Sequence, residues 1–125
     1  MNAVQWFVHD KLQRLASDAR AAAAQVQRAQ SLREVRGLGR VHADPTVTSL
    51  RHMVPELRRL NQACEQRAQA LVDTQLGSLR ALKEKDAQAF ATEASRLMQH
   101  EWPFLRGSLA SVYVHAQREL AKLRV

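Results

Sequence analysis

The last forty residues of the chain carry an apolar stripe that keeps the α-helical period throughout. Its members follow one another at steps of three or four residues, with a mean step of 3.6, the number of residues in one turn of an α-helix. The stripe consists of Ala87, Phe90, Ala94, Met98, Trp102, Leu105, Leu109, Val112, Ala116, Leu120 and Leu123. Two earlier segments repeat the pattern, so the sequence predicts an all-α protein.

Segment one runs from about Ala3 to Val35. It contains the tract Ala21–Ala24, and alanine is the strongest helix former. Gly37 follows the last stripe residue and is placed as the C′ residue that ends the helix.

Prolines interrupt the other two segments. Segment two begins near Thr46–Thr48, but Pro55 predicts that its main helix starts there, at the N1 position, where the missing N–H costs no hydrogen bond. Asp86 is a suitable N-cap for segment three. Within segment three, Pro103 and Gly107 predict a kink or a break into two helices.

Short connections favour antiparallel neighbours. We therefore expect one domain over residues 1–125: an elongated antiparallel bundle of three long helices, running up, down and up, with proline breaks near Pro55 and Pro103. In this bundle Trp102–Leu105 would lie level with Ala19–Ala24, so that the bulkiest cluster meets the smallest, as close packing requires.

The same topology concentrates positive charge at one pole. The net charge is +7, and 15 of the 19 basic residues are arginine, whose planar guanidinium suits bidentate contact with phosphate. The predicted nucleic-acid-binding residues at this pole are Arg33, Arg36, Arg40, Arg51, Arg58, Arg59, Arg118, Lys122 and Arg124. Helix C-termini also attract cations, and a solvated or protein-binding face is the alternative interpretation.

No motif in the sequence supports catalysis or a cofactor. The glycine loop after segment one lacks the Gly-Lys-Ser/Thr ending of a P-loop. Two His-x-x-x-Glu pairs, His52/Glu56 and His115/Glu119, fit local pairing along a helix better than a metal centre. We therefore expect neither an enzyme nor a bound metal or cofactor.

Several large apolar residues lie off the stripes. Trp6, Phe7, Phe104 and Tyr113 are predicted to bind a protein partner or a second copy of the chain, although a broader core stripe accounts for them equally well.

Two further features bear on the compartment and on the single thiol. No stretch reaches the roughly 20 apolar residues of a membrane span, so we expect a cytoplasmic protein without membrane contact. Cys64 is the single cysteine and lies on a stripe, which predicts a buried, inert thiol.

Together these features favour a non-enzymatic small helical subunit that binds nucleic-acid backbone, without sequence preference, inside a larger nucleoprotein complex. In size, charge and helicity the chain is similar to the small helical subunits of CRISPR effector complexes. The likeness is one of general character; it implies nucleic acid and other protein subunits as partners and assigns no residue. The alternatives are a helical adaptor or chaperone that binds a protein partner, and a metal or haem bundle.

Overall fold

The computed structural model describes residues 2–40 and 53–125. These residues form five α-helices, with a π-helical turn and a 3₁₀ turn between the last two. The elements are α1 (Ala3–Val26), α2 (Leu32–Gly39), α3 (Pro55–Lys85), α4 (Ala87–Arg96), the π-helical turn (Leu97–Glu101), the 3₁₀ turn (Trp102–Leu105) and α5 (Ala110–Leu123). No β-strand occurs in the two described ranges, which confirms the all-α prediction. Five helices stand in place of the expected three long ones.

Segment one is divided at Gln27–Ser31 because Ser31 begins a new helix. The Ser31 Oγ accepts a hydrogen bond from the Glu34 amide at 3.2 Å, and the Glu34 carboxylate accepts one from the Gln30 amide at 3.3 Å. Gly37 therefore lies inside α2, and the prediction that it ends a helix is wrong. The apolar stripe passes through the break without losing burial: Val26, Ala29, Leu32 and Val35.

The longest helix, α3, is the packing centre, since α1, α2, α4 and α5 all contact it. Pro55 occupies the first turn of α3 after Val54, as predicted. Thr46–Thr48, the expected start of segment two, lies outside the described residues. One stripe of α3 faces the core: Leu57, Leu60, Cys64, Ala68, Val72, Leu76 and Leu79.

Segment three breaks near Pro103, as its sequence predicts. The chain passes from α4 through the π-helical turn into the 3₁₀ turn, and Gly107 follows at φ +89°, in the left-handed region that glycine adopts without strain. Trp102 is fully buried, and its Nε1 donates a hydrogen bond to the Gln75 Oε1 at 2.9 Å. The 3₁₀ turn packs mainly against α2 and α5, and not against Ala19–Ala24 of α1 as expected, since the break before α2 brings α2 to this position.

The direction of α5 is the main departure from the expected topology. His115 Nε2 lies 3.3 Å from the Asp73 carboxylate, and Lys83 Nζ donates to the Val125 carbonyl at 3.3 Å. Both pairs are separated by 42 residues, so α5 runs parallel to α3. Segment three is therefore a helical hairpin, and its end lies near the carboxyl end of α3.

The first helix extends beyond the packed part of the molecule. Arg67 Nε donates to the Ala29 carbonyl at 2.7 Å, which places the end of α1 beside the first half of α3. Burial along α1 begins at Leu15, whereas residues 2–10 are all exposed. The amino-terminal turns of α1 are thus helical without being covered by the bundle.

Candidate nucleic-acid interface

Eight of the nine cations predicted to share one pole are among the described residues, and they lie at two different ends of α3. Five of them belong to α2, its C-terminus or the first turn of α3: Arg33, Arg36, Arg40, Arg58 and Arg59. Arg118, Lys122 and Arg124 lie on or just after α5, which returns towards Lys83, so they are at the opposite end. Arg51 lies outside the described residues. The single predicted pole is therefore wrong, because the chain reverses at Gly107.

Three arginines that the sequence analysis did not select join the first group. Arg28 precedes Ala29, whose carbonyl binds Arg67, and Arg106 directly follows the 3₁₀ turn that packs on α2. The resulting arginine cluster consists of Arg28, Arg33, Arg36, Arg40, Arg58, Arg59, Arg67 and Arg106. The stretches that bear these arginines, residues 28–40, 55–67 and 106, contain three acids, Glu34, Glu56 and Glu65, which leaves a net charge of +5.

Two members of the arginine cluster are half-buried and hold its elements together. Arg36 Nη1 donates to the Pro103 carbonyl at 3.3 Å, which ties α2 to the 3₁₀ turn. Arg67 donates to the Ala29 carbonyl and so ties α3 to the chain between α1 and α2. A guanidinium has five N–H donors, so each of these bonds fixes the side chain and leaves donors and charge in place.

The other six members are exposed: Arg28, Arg33, Arg40, Arg58, Arg59 and Arg106. None of these six guanidiniums lies within 4.0 Å of a carboxylate oxygen of the described residues. The ion pairs in this part of the chain join other side chains. At the far end of α3, by contrast, Lys122 Nζ pairs with Glu119 at 3.0 Å, and this hydrogen bond lowers the pKa of the Glu119 carboxyl. The arginine cluster therefore presents six exposed guanidiniums without an ion-pair partner among the described residues, whereas two of the three predicted cations at the far end, Arg118 and Arg124, are unpaired.

Two of the predicted partner-binding aromatics border the arginine cluster. Phe104 lies in the 3₁₀ turn and Tyr113 on α5, and both are half-buried against the core. The Arg106 Cζ lies 5.7 Å from the centre of the Tyr113 ring, and Gln117 Nε2 donates to the Tyr113 hydroxyl at 2.9 Å. For these two rings, burial against the core is the structural finding.

The other two predicted partner-binding aromatics are exposed on the amino-terminal turns of α1. Trp6 is 59% and Phe7 67% exposed, beside Val4 at 70%. Lys11 Nζ lies 5.9 Å from the centre of the Phe7 ring. The rest of the bundle does not cover these apolar side chains.

The remaining ionisable groups show no reactive arrangement in the described part of the chain. Burial raises the pKa of the Cys64 thiol to about 11, and its Sγ lies 3.8 Å from the Val35 carbonyl, as fits a buried, inert thiol. His115 contacts Asp73 and Glu119 pairs with Lys122, so the expected pairing of His115 with Glu119 is wrong.

Residues 2–40 and 53–125 offer neither a metal site nor a membrane span. They contain no group of three or more metal-ligating side chains placed to hold an ion. No helix in these ranges is both long and apolar enough to cross a membrane. His52 of the second predicted pair lies outside them.

Comparison with known proteins gave no significant match to any protein-family model, curated protein or solved structure.

Proposed function

We propose that this chain is a non-enzymatic helical subunit that binds the phosphate backbone of nucleic acid through the arginine cluster, within a larger nucleoprotein complex. One observation carries the proposal. Four parts of the chain bring eight arginines and three acids to one end of the bundle, and the six exposed guanidiniums make no ion pair with a described carboxylate. Such a surface concentrates mobile anions, and a polyphosphate that binds it releases its own counterions.

The chemistry of the arginine cluster suits backbone contact. All eight cations are arginine, and the fork of a guanidinium matches two phosphate oxygens at once. Backbone contacts position a ligand without reading its sequence. The proposal therefore predicts binding that depends steeply on salt and little on base order.

A charge-matched pair of triple variants tests this proposal. Arg33→Glu, Arg58→Glu and Arg59→Glu together reverse three exposed charges of the arginine cluster, whereas Arg118→Glu, Lys122→Glu and Arg124→Glu reverse three at the far end of α3. The net charge changes equally in both.

Binding of a labelled oligonucleotide is measured by fluorescence anisotropy at about 0.15 M salt, where the Debye length is about 8 Å. At this salt concentration charges near the bound strand affect its affinity, whereas distant charges are largely screened. The first variant should lose binding and the second should keep most of it. Equal weakening by both would refute a local site. Circular dichroism checks folding, since exposed charges contribute little to stability.

The amino-terminal turns of α1 favour a second candidate function, that of an adaptor that binds a protein partner. Successive helical residues are about 100° apart, so Trp6 lies about 200° around α1 from Val4, on the other side of the helix. A helix that is apolar on opposite sides is normally enclosed. The partner would therefore be a groove formed by two or more helices.

The adaptor candidate is tested by changing Trp6 and Phe7 to serine. Because both side chains are exposed, the double variant should keep its melting temperature. It should lose a stoichiometric protein that co-purifies with the wild-type chain from the native host. An unchanged set of co-purifying proteins would contradict the adaptor function.

A further inference from the structure

We propose that Arg106 and Tyr113 form a base-stacking step at the edge of the arginine cluster, so that its preferred ligand is a single strand. This inference rests on the proposed function, because stacking adds to the backbone contacts that bring a strand to this surface. It names the class of nucleic acid, which the arginine cluster alone leaves open.

The first step concerns the geometry of the pair. The Arg106 guanidinium carbon lies 5.7 Å from the centre of the Tyr113 ring, within the range of a cation–π contact. The ring is fixed by its packing against the core and by the hydrogen bond from Gln117 to its hydroxyl at 2.9 Å. Arg106 itself is exposed. A fixed aromatic ring thus holds an exposed, planar cation.

The second step connects this pair to the rest of the arginine cluster. Arg106 directly follows the 3₁₀ turn, and the Arg36 side chain binds that turn at the Pro103 carbonyl. Only two residues separate Pro103 from Arg106, so Arg106 is held near α2. A strand that follows the cluster's guanidiniums would bring its bases to Arg106.

The third step concerns which ligand can use such a pair. Unpaired bases stack on aromatic rings and on guanidinium planes, and stacking is tolerant of base identity. The bases of a duplex are already stacked inside the helix and expose only their edges. A stacking step therefore favours single strands and adds no sequence preference.

Three ligands of equal length, about 12 nucleotides, separate stacking from backbone charge. They are a single strand of thymidines, the same strand without bases, and a duplex. Stacking of one base predicts that the thymidine strand binds about 5- to 150-fold more tightly than the strand without bases. It also predicts that the thymidine strand binds more tightly than the duplex.

Substitutions at two positions, Arg106 and Tyr113, identify the residues responsible. Arg106→Lys keeps the charge and removes the guanidinium plane, so it should lower the affinity for the thymidine strand several-fold more than the affinity for the strand without bases. Tyr113→Ala should have the same effect, whereas Tyr113→Phe, which keeps the ring and loses the Gln117 bond, should bind nearly as well as wild type. Arg106 is exposed, so its variant tests the inference even if Tyr113→Ala impairs folding.

The outcomes distinguish the two proposals. Equal affinity for the strands with and without bases, or tighter binding of the duplex, would overturn the stacking step and leave the backbone function standing. An Arg106→Lys variant that loses affinity equally for both strands would likewise overturn it. A failure of all three ligands to bind at low salt would overturn the proposed function itself.

Discussion

The hydrogen bond between Trp102 and Gln75 gives a quantitative test of the core. Trp102 is fully buried beside the proline break, and its Nε1 donates to the Gln75 Oε1 at 2.9 Å. Trp102→Phe removes the donor and leaves a cavity; truncating a buried tryptophan to alanine costs about 3–5 kcal/mol, so this smaller change should cost about 2–3 kcal/mol. Gln75→Met keeps the side-chain length and leaves the buried Nε1 without a partner, at about 1–3 kcal/mol.

The double variant should cost less than the sum of the two single changes. Once Trp102 no longer carries a donor, the methionine at position 75 leaves no buried polar group unpaired, so the two losses overlap by about 1 kcal/mol. Urea unfolding of all four proteins, followed by far-UV circular dichroism, measures this coupling. Losses that add within about 0.3 kcal/mol would show that the two side chains do not interact, and would refute the packing of the 3₁₀ turn described above.

Three further predictions concern single residues. Gly107→Ala should lower the free energy of unfolding by about 1–2 kcal/mol, because the φ of Gly107 is +89°. Gly77→Ala should raise it by about 1 kcal/mol, because Gly77 lies exposed inside α3 with open space at the added Cβ. Thermal melts that shift in the same direction for both variants would contradict this. The Asp86 carboxylate accepts hydrogen bonds from two amides of α4, and an asparagine cap can accept them too. Asp86→Ala should therefore lower the free energy of unfolding by about 1 kcal/mol and Asp86→Asn hardly at all. Equal urea midpoints for these two variants would refute the cap. The pKa of the Cys64 thiol is about 11 in the fold, against an ordinary value of 9.0. The stability that the neutral thiol contributes should therefore be complete below pH 9 and lost between pH 9 and 11. A Cys64→Ala variant whose free energy of unfolding falls with pH as steeply as that of the wild type would contradict this.

The sequence predicted the helices, the core and the break near Pro103, but not the break within segment one. Segment one looks continuous because its stripe stays in phase through Gln27–Ser31. The signal for the break was nevertheless present: Ser31 followed three residues later by Glu34 matches the sequence pattern of a capping box. The Ser31 Oγ accepts from the Glu34 amide as in that motif, whereas the Glu34 carboxylate accepts from the Gln30 amide and not from the Ser31 amide. The kink or break at Pro103 was predicted, but the reversal of the chain there was not, since the sequence of a turn does not fix the direction of the next helix.

Only part of the candidate site was predicted from the sequence, because the reversal of the chain after Pro103 was not. Arg33, Arg36, Arg40, Arg58 and Arg59 were selected because they adjoin one chain connection, and the structure keeps them at one end of α3. Arg28 and Arg106 join them through the unpredicted break before α2 and the unpredicted reversal after Pro103. Arg118, Lys122 and Arg124 leave the group because α5 runs back along α3. Charges that are close in sequence could be grouped from the sequence; charges brought together by chain reversal could not.

The salt dependence of binding tests the central claim, that exposed arginines of the arginine cluster bind phosphates. For a single strand, the logarithm of the binding constant falls with the logarithm of salt concentration at a slope of about −0.7 per phosphate contacted. Contacts by four to six exposed arginines therefore predict a slope of about −3 to −4 for the wild-type chain.

Reversing Arg33, Arg58 and Arg59 together should bring this slope close to zero, whereas reversing Arg118, Lys122 and Arg124 should leave it nearly unchanged. A shallow wild-type slope, or the same reduction in both triple variants, would contradict the account.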